Sequence, residues 1–220
     1  FFMAIGSNIK WIKDKIGKVN FIQVSIFITS IIVSYFFVKK YGVSYLLSLP
    51  LFILSIFLFF ITIKDFFGKK VNISQKISHF GFSLLILSIL LNGVLSKEFS
   101  SNMKVGDERK FLNKTIKFES IKVIKKQNYQ SLIGEFNIKD ENNSLSLKPE
   151  LRIYDQPQTI TSEADISSTI FSDNFLVFNV LKNDGFYNVR YQIKPFMIWI
   201  WISVILISFG GLISLKKKNV

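Results

Sequence analysis

The residue of this sequence with the clearest potential for chemistry is a histidine in an apolar stretch. His79 is the only histidine among the 220 residues, and it lies near the start of residues 77–95, which carry no charge. About 20 apolar residues cross the roughly 30 Å hydrocarbon core of a bilayer. An ionisable side chain inside a membrane span is energetically costly and is by default a candidate functional residue. His79 is therefore the leading candidate in this sequence.

The sequence restricts what His79 can do. Its imidazole could ligate a metal ion or a haem iron, but the chain has no cysteine and no second histidine, so another ligand must come from elsewhere. Residues at helical spacing from it form a narrow stripe that a flat ligand or a second helix could approach: Ser83, Ile86, Leu90 and Gly93. A second interpretation stays open. His79 follows Lys76 by three residues, so it could be an interfacial residue in contact with water.

The apolar runs predict an α-helical membrane protein with about four spans. The expected organisation is three full spans within residues 1–95, a β-rich domain, a last span and a short tail: about 21–38, 43–63, 77–95, 96–194, 195–215 and 216–220. Pro50 falls inside the second span, where proline is tolerated because neighbouring groups satisfy the freed carbonyl. The chain begins with Phe1 in an apolar run, which we interpret as a piece of a longer membrane protein.

The net charge of +13 lies beside the spans. Residues 96–194 contain 15 Lys and Arg against 13 Asp and Glu, whereas the rest of the chain contains 13 Lys and only two Asp. This distribution is typical of membrane topology, so we expect no nucleic-acid partner. Eleven lysines face the cytoplasm if the N-terminal segment, the loop at 64–76 and the tail lie there, and only Lys39 and Lys40 fall in the short outer turn between the first two spans. Residues 96–194 are then extracytoplasmic.

The block at 96–194 shows the alternation of β-strands. Residues 115–126 read TIKFESIKVIKK with one slip in register, and four further runs follow, at 131–138, 145–154, 175–181 and 186–193. Turn residues separate these runs. We therefore predict an all-β domain, a small sandwich or open barrel, inserted between the last two helices. Its core is expected to contain Phe118, Ile121, Phe136, Leu151, Phe175 and Val177.

Three motifs in the second half of the chain are more particular. They are a Pro-Glu-x-Arg-x-Tyr step, a Thr-Ser-Glu-Ala step and a Lys-Pro-Phe…Trp-Ile-Trp…Gly-Gly sequence, and they contain Glu150, Arg152, Tyr154, Glu163, Trp199 and Trp201. The charged residues could be surface ion pairs of small energetic value. Alternatively, Arg152 could bind carboxylates of a partner or of haem, since guanidinium binds them bidentately. The tryptophans fit an interfacial aromatic belt.

These motifs resemble the C-terminal part of the CcmF family, the membrane haem lyases of bacterial cytochrome c maturation. The helix with His79 is similar to a late histidine-bearing span of that family, and the resemblance covers about residues 1–215. It implies a protein of the bacterial inner membrane, with residues 96–194 in the periplasm. It also implies a b-type haem held between histidines of different spans, with His79 as one axial ligand of the haem iron.

The resemblance further implies partners and a reaction. CcmF-like proteins receive haem from a periplasmic haem chaperone and help to attach it covalently to apocytochrome c, alongside thiol-handling maturation proteins. The six residues of the three motifs become candidate contacts for haem or for these partners. The tryptophan-rich haem-handling segment of the family lies upstream of the part matched here, so we do not expect this chain alone to be an active lyase.

Two alternatives remain open at this point. A branch of the family dedicated to nitrite reductase fits the same motifs, because they do not record the choice of apocytochrome. The alternative from another class is a non-enzymatic, membrane-anchored sensor or assembly scaffold, in which the β domain binds a partner and His79 is only interfacial.

The charge asymmetry leads to a prediction of topology. Alkaline phosphatase fused at Asn142 should be active and the same reporter fused at Asn219 inactive, because the lysine-rich segments stay in the cytoplasm. Fluorescent-protein fusions at the same two positions should give the opposite pattern. A cytoplasmic signal at Asn142 would contradict this orientation.

Overall fold

The computed structural model describes residues 21–42, 45–68, 71–140, 143–181 and 185–218. The basic segment at residues 7–20 and the end of the tail at 219–220 lie outside these ranges. The chain divides into two compact units, one made of the helices and one of residues 96–195.

The helical unit contains four described helices, each long and apolar enough to cross a membrane. They are α1 (Phe21–Tyr41), α2 (Tyr45–Phe67), α3 (Ile73–Leu95) and α4 (Met197–Lys218). Pro50 lies inside α2, as expected. Four apolar helices with a β domain between the third and the fourth confirm the predicted fold class.

Helix α3 begins four residues earlier than its apolar run. Its first turn closes through a hydrogen bond from the amide of Lys76 to the carbonyl of Asn72, at 2.9 Å. The residues just before the apolar run are Ser74, Gln75 and Lys76. These polar residues are compatible with a helix that ends in contact with water. Charge and polarity therefore marked where the apolar stretch begins but not where the helix begins.

Aromatic rings and small polar groups join the first three helices. Between α1 and α2, the rings of Phe27 and Phe57 meet edge to face at 5.3 Å, and those of Phe37 and Phe52 lie 4.8 Å apart. Between α2 and α3, the buried hydroxyls of Thr62 and Ser83 share a hydrogen bond of 2.8 Å. Hydroxyls that bond across helices and rings that interlock suit a bundle whose solvent is lipid.

Glycine lets α4 approach α3 closely. A Cβ on Gly210 would lie 2.8 Å from the backbone nitrogen of Ser78, a distance that real Cβ atoms do not reach. The hydroxyl of Ser74 donates a hydrogen bond of 2.7 Å to the Gly210 carbonyl, which fixes the crossing. Gly81 on α3 is similarly tight against Ile207 at 3.0 Å. Small residues at a helix contact are typical of membrane bundles.

The second unit is a two-sheet β-sandwich. Ten strands are described: β1 (Lys97–Met103), β2 (Glu108–Phe111), β3 (Lys114–Lys125), β4 (Tyr129–Lys139), β5 (Ser144–Leu147), β6 (Glu150–Tyr154), β7 (Thr159–Glu163), β8 (Asp165–Ser168), β9 (Ser172–Val180) and β10 (Tyr187–Pro195). One sheet has the order β1-β10-β9-β8, and the other runs β2-β3-β4-β6-β7 with β5 paired to β4. All described pairings are antiparallel.

Phenylalanine rings from both sheets form the centre of the sandwich. Phe118 on β3 and Phe136 on β4 stack at 4.2 Å, and Phe178 on β9 lies 6.2 and 5.9 Å from them. Gly134 leaves room for these rings, because a Cβ there would lie 2.7 Å from the Phe136 ring. A buried polar pair in this centre is satisfied, since the hydroxyl of Tyr191 donates to Asn174 at 2.6 Å.

Four of the six predicted core residues are confirmed and two are wrong. Phe118, Phe136 and Leu151 are fully buried, and Ile121 packs against them. On β9 the core face carries Asn174, Leu176 and Phe178, whereas Phe175 and Val177 point outwards. The sequence there reads Phe-Leu-Val-Phe, so both faces are apolar and alternation cannot tell them apart.

The strand pattern was also coarser in the sequence than in the structure. The expected slip in register on β3 is a bulge between Phe118 and Ser120. The run at 145–154 is two strands, interrupted at Lys148-Pro149 because proline has no amide to give to the ladder. Strands β1, β2, β7 and β8 are short or mostly polar and did not show as alternating runs.

The corrected face of β9 can be tested with two matched substitutions. Phe178→Ala should destabilise the sandwich by about 3–5 kcal/mol, because it empties a closely packed core. Phe175→Ala removes the same atoms from the outer face and should cost much less. Protease resistance of the sandwich in increasing urea, measured on the detergent-solubilised protein, compares the two. Equal losses, or the larger loss at Phe175, would contradict this assignment.

Candidate functional site

His79 lies in the second turn of α3, at the end of the bundle where α2 stops. It is six residues beyond Ile73, about 9 Å along the helix axis. One turn before it, the ammonium group of Lys76 donates to the carbonyls of Phe66 and Gly68, at 3.0 and 2.5 Å. These carbonyls close α2, so Lys76 caps that helix. His79 therefore lies about one helical turn beyond the level at which Lys76 caps α2.

Helices α2 and α4 cover two sides of α3 but leave His79 half-buried. Phe80 lies 5.8 Å from the rings of both Phe59 and Phe66 on α2. On the opposite side, Gly81 faces α4. Ser83, expected on an open stripe with His79, is fully buried and bonded to α2, so it is not available to a ligand.

A different stripe of α3 is open beside His79. Phe82 and Ile89, three and ten residues further on, are exposed apolar side chains. Gly93 is exposed, and no described atom lies within 4 Å of the position that its Cβ would take. These residues share a side of the helix with His79 by their spacing. A further helix or a flat ring could pack here, with the imidazole at its margin.

His79 fits a haem iron as one axial ligand, and it does not complete a metal site. An imidazole on a half-open apolar face meets what a haem ligand needs. Among the described residues, no group of three or more His, Cys, Asp or Glu could hold a metal ion. Since His79 is the only histidine of the sequence, a second imidazole ligand would have to come from outside it.

The structure brings together four of the residues singled out in the sandwich. Glu150, Arg152 and Tyr154 take alternate positions on β6, and Glu163 on β7 pairs with Glu150 in register. The guanidinium of Arg152 lies 2.9 Å from the carboxylate of Glu150 and 3.7 Å from that of Glu163. These side chains form one polar cluster on the outer face of the six-stranded sheet.

Tyr129 belongs to the same cluster and had not been singled out in the sequence. It pairs with Tyr154 across β4 and β6, with the two rings 5.2 Å apart. The guanidinium of Arg152 lies 5.5 Å from the Tyr129 ring centre, within the range of a cation–π contact. Twenty-five residues separate Tyr129 from Tyr154, so only the strand register reveals the contact.

Tyr129, Glu150, Arg152, Tyr154 and Glu163 form what we call the arginine cluster. Interactions among these side chains stabilise their charged forms. Hydrogen bonds to Glu150 and Tyr154 raise the pKa of Arg152 further above its ordinary value. The Arg152 guanidinium in turn lowers the pKa of Glu150. Because the carboxylates of Glu150 and Glu163 already lie against its guanidinium, Arg152 is not an empty anion site. The cluster offers a partner two aromatic rings and the exposed edge of Glu163.

A second charged cluster on the same sheet was not expected from the sequence. The carboxylate of Glu135 accepts from Lys122 at 2.7 Å and from Ser120 at 2.8 Å, and Lys148 lies at 3.3 Å. These bonds lower the pKa of Glu135 from 4.5 to about 2, with Lys122 as the largest cause. Its members come from β3, β4 and the segment before β6, which only strand pairing brings together.

The two tryptophans occupy the first turns of α4. Trp201 is exposed, whereas Trp199 is half-buried and its carbonyl accepts from the hydroxyl of Ser203 at 2.6 Å. Two residues apart on a helix, they point to different sides. This arrangement is typical of an aromatic belt at the membrane interface, and the two side chains do not form a joint binding site.

Comparison with known proteins gives matching results for both units. Residues 94–195 match the family model described as the CcmF C-terminal beta-sandwich. The cytochrome c-type biogenesis protein CcmF of Pseudomonas fluorescens is 26% identical over 146 residues, covering 66% of this chain and 22% of that protein. The protein of that name from Escherichia coli is 23% identical over 223 residues, covering 97% of this chain and 34% of the relative.

One solved structure shows the same fold across both units. The cytochrome c haem lyase CcmF superposes with a TM-score of 0.71 at 12% identity, covering 96% of this chain and 37% of that one. The chain thus spans between about a fifth and two fifths of the length of the proteins it matches.

The fold defines a class of membrane protein in which a β-sandwich is inserted before the last of several apolar helices. Within that class, the family model of the sandwich, the related sequences and the solved structure all indicate CcmF. Residues 94–195 match the C-terminal sandwich of the CcmF family, and the chain as a whole is similar to the C-terminal part of proteins of that family.

The Glu135 cluster leads to a prediction of acid sensitivity. The lowered pKa means that the ionised carboxylate stabilises the sandwich above about pH 4.5, and that this contribution is lost as the pH falls towards about 2. Glu135→Gln should therefore be less stable than the unchanged protein at pH 7, and the difference should shrink across that window.

Glu119→Gln is the matched control, because it removes a carboxylate that bonds Asn137 on the same sheet and leaves the two lysines alone. Urea unfolding monitored by protease resistance at several pH values provides the measurement. A Glu135→Gln effect that stays constant down to pH 2 would contradict the assignment.

Proposed function

We propose that this chain forms the C-terminal part of a membrane haem lyase of cytochrome c maturation. The protein of which it is part takes haem from a periplasmic haem chaperone and helps to attach it to apocytochrome c. Support comes from the match of residues 94–195 to the CcmF C-terminal sandwich and from the relatives, which are named cytochrome c-type biogenesis proteins. The sandwich lies in the periplasm and the helices lie in the inner membrane, as the lysine asymmetry predicts.

The observation that carries this proposal is the position of His79 beside an open apolar face. Its imidazole would hold a b-type haem as an axial ligand, together with a histidine from another span. Such a group would supply electron transfer when bound. Phe82, Ile89 and Gly93 give the adjoining surface on which that other span or the haem edge packs.

The depth of His79 sets the side of the membrane on which this haem sits. Sixteen residues separate it from Leu95, the last residue of α3, which is about 24 Å along the axis. With residues 96–194 outside, a haem bound at His79 would lie in the cytoplasmic half of the bilayer. Because α3 begins at Ile73, His79 lies six residues into the helix and not in its first turn.

The arginine cluster is a candidate contact for partner proteins. Two neighbouring aromatic rings and a charged group lie together on one outer face, at Tyr129, Tyr154 and Arg152. Tyr and Arg side chains are enriched where proteins bind each other. The haem chaperone, apocytochrome c and the thiol-handling maturation proteins are the partners that this surface would meet. A haem propionate is a poorer occupant, because it would have to displace Glu150 or Glu163 from Arg152.

The role of His79 can be tested by removing its imidazole. His79→Ala in the whole membrane protein should lose most of its b-type haem, and cytochrome c assembly should fall with it, because one axial ligand is gone. Haem content by optical spectrum after purification is the measurement. Gln75→Ala, one turn earlier on the same side of α3, is the control for local disturbance and should keep its haem.

Added imidazole separates ligation from folding. It should restore haem to His79→Ala, since the cavity left by alanine accepts the small ligand, and it should leave Gln75→Ala unchanged. Undiminished haem in His79→Ala, with normal cytochrome assembly, would show that His79 is an interfacial residue and would support the scaffold interpretation.

A further inference from the structure

The turn between β8 and β9 exposes two large apolar side chains at its tip. Ile170 is 62% exposed and Phe171 is 67% exposed. Turn tips in water are usually built from glycine, asparagine, aspartate, serine or proline, because these residues satisfy or relax the turn backbone. Adjacent isoleucine and phenylalanine at such a position therefore indicate a surface that meets something apolar.

The turn itself is closed by its flanking residues. The amide and the hydroxyl of Thr169 both donate to the carbonyl of Ser172, at 2.9 and 2.7 Å. The amide of Ser172 returns a hydrogen bond of 3.0 Å to the Thr169 hydroxyl. Three bonds across two residues hold the ends of the turn together. The side chains of Ile170 and Phe171 therefore project from an ordered tip.

Strand register places this tip at the membrane end of its sheet. Ser172 pairs with Pro195, the last residue of β10, and α4 begins at Met197. At the neighbouring strand, Lys97 pairs with Ile193, and α3 ends at Leu95. The covalent links alone thus bring this edge within two residues of two membrane spans. Because β9 starts at Ser172, the tip extends beyond the sheet on that same side.

The groups around the tip suit the headgroup region. Lys97 and Lys194 lie at the same edge, and the ammonium of Lys194 sits 4.8 Å from the ring centre of Phe175. The nearby carboxylate of Glu98 is already paired with Arg190 at 2.6 Å, and Asp173 is opposite Lys194 in register. Lysine beside exposed apolar residues is a combination typical of contact with a phospholipid surface.

We propose that Ile170 and Phe171 insert into the outer lipid interface and hold the sandwich against the bilayer. The tip is a third attachment, in addition to the two covalent links at residues 96 and 196. Its occupant is phospholipid, with the apolar side chains among the upper acyl carbons and Lys97 and Lys194 among the headgroups. This inference does not depend on the proposed haem chemistry.

Single-cysteine labelling can test the insertion, since the chain has no native cysteine. Phe171→Cys carries an environment-sensitive fluorophore in protein reconstituted into phosphatidylethanolamine and phosphatidylglycerol vesicles. Val180→Cys is the matched control: it is 49% exposed on the same strand, eight residues or about 26 Å from Ser172, at the opposite end. Both positions are exposed, so the substitutions leave the core intact. Protease resistance confirms this.

Quenchers in lipid and in water then distinguish the outcomes. We expect spin-labelled lipids carrying the quencher near the headgroup, at the depth of about 5–10 Å typical of interfacial segments, to remove most of the fluorescence at position 171 and little at position 180. Iodide should show the reverse order. Equal iodide quenching at both positions would overturn the proposal. Protection of position 171 from both quenchers would also overturn it and would assign the tip to contact with protein.

Discussion

The constraint on which this molecule depends is that backbone amides and carbonyls must find partners within the chain wherever water is absent. In the hydrocarbon core, an isolated helix meets this requirement and an open sheet does not. The transition from helix to sheet is correspondingly abrupt. One residue, Ser96, separates α3 from β1, and one residue, Phe196 with a φ of 62°, separates β10 from α4. Strands β1 and β10 pair from Lys97 and Ile193 onwards, so ladder hydrogen bonds replace helical ones at once.

The same constraint explains the contacts between helices. Apolar side chains gain little from burial against each other in lipid, so close approach and hydrogen bonding must supply the association. Gly210 and Ser74 let α4 and α3 touch through their backbones, and Thr62 and Ser83 join α2 to α3. Among the described helices, these contacts leave one side of α3 uncovered, and His79 lies at its edge. The position of the histidine is thus a consequence of which sides the glycines and hydroxyls occupy.

In the sandwich, water is the solvent, and the balance of interactions changes. Phe118, Phe136 and Phe178 are removed from water between two sheets, which is the main source of stability for such a domain. Charged side chains are confined to the outer faces, where cross-strand pairs such as Glu135 with Lys122 set their geometry. The arginine cluster presents paired charges on one of these outer faces. The turn at Ile170 presents exposed apolar side chains instead.

The sequence by itself determined the spans, their approximate ends and the presence of a β domain before the last helix, because apolar length and alternation are local properties. It also identified His79, since one ionisable residue in an apolar run is visible without a structure, and it placed Phe118, Phe136 and Leu151 in the core. The tertiary structure decided what depends on neighbours distant in the chain. It turned β9 so that Leu176 and Phe178 face inwards, because a strand that is apolar on both faces takes its register from its partners. It also covered Ser83 with α2, joined Tyr129 to Arg152, and placed Ile170 and Phe171 at the end of the sheet where Ser172 pairs with Pro195, the last residue of β10.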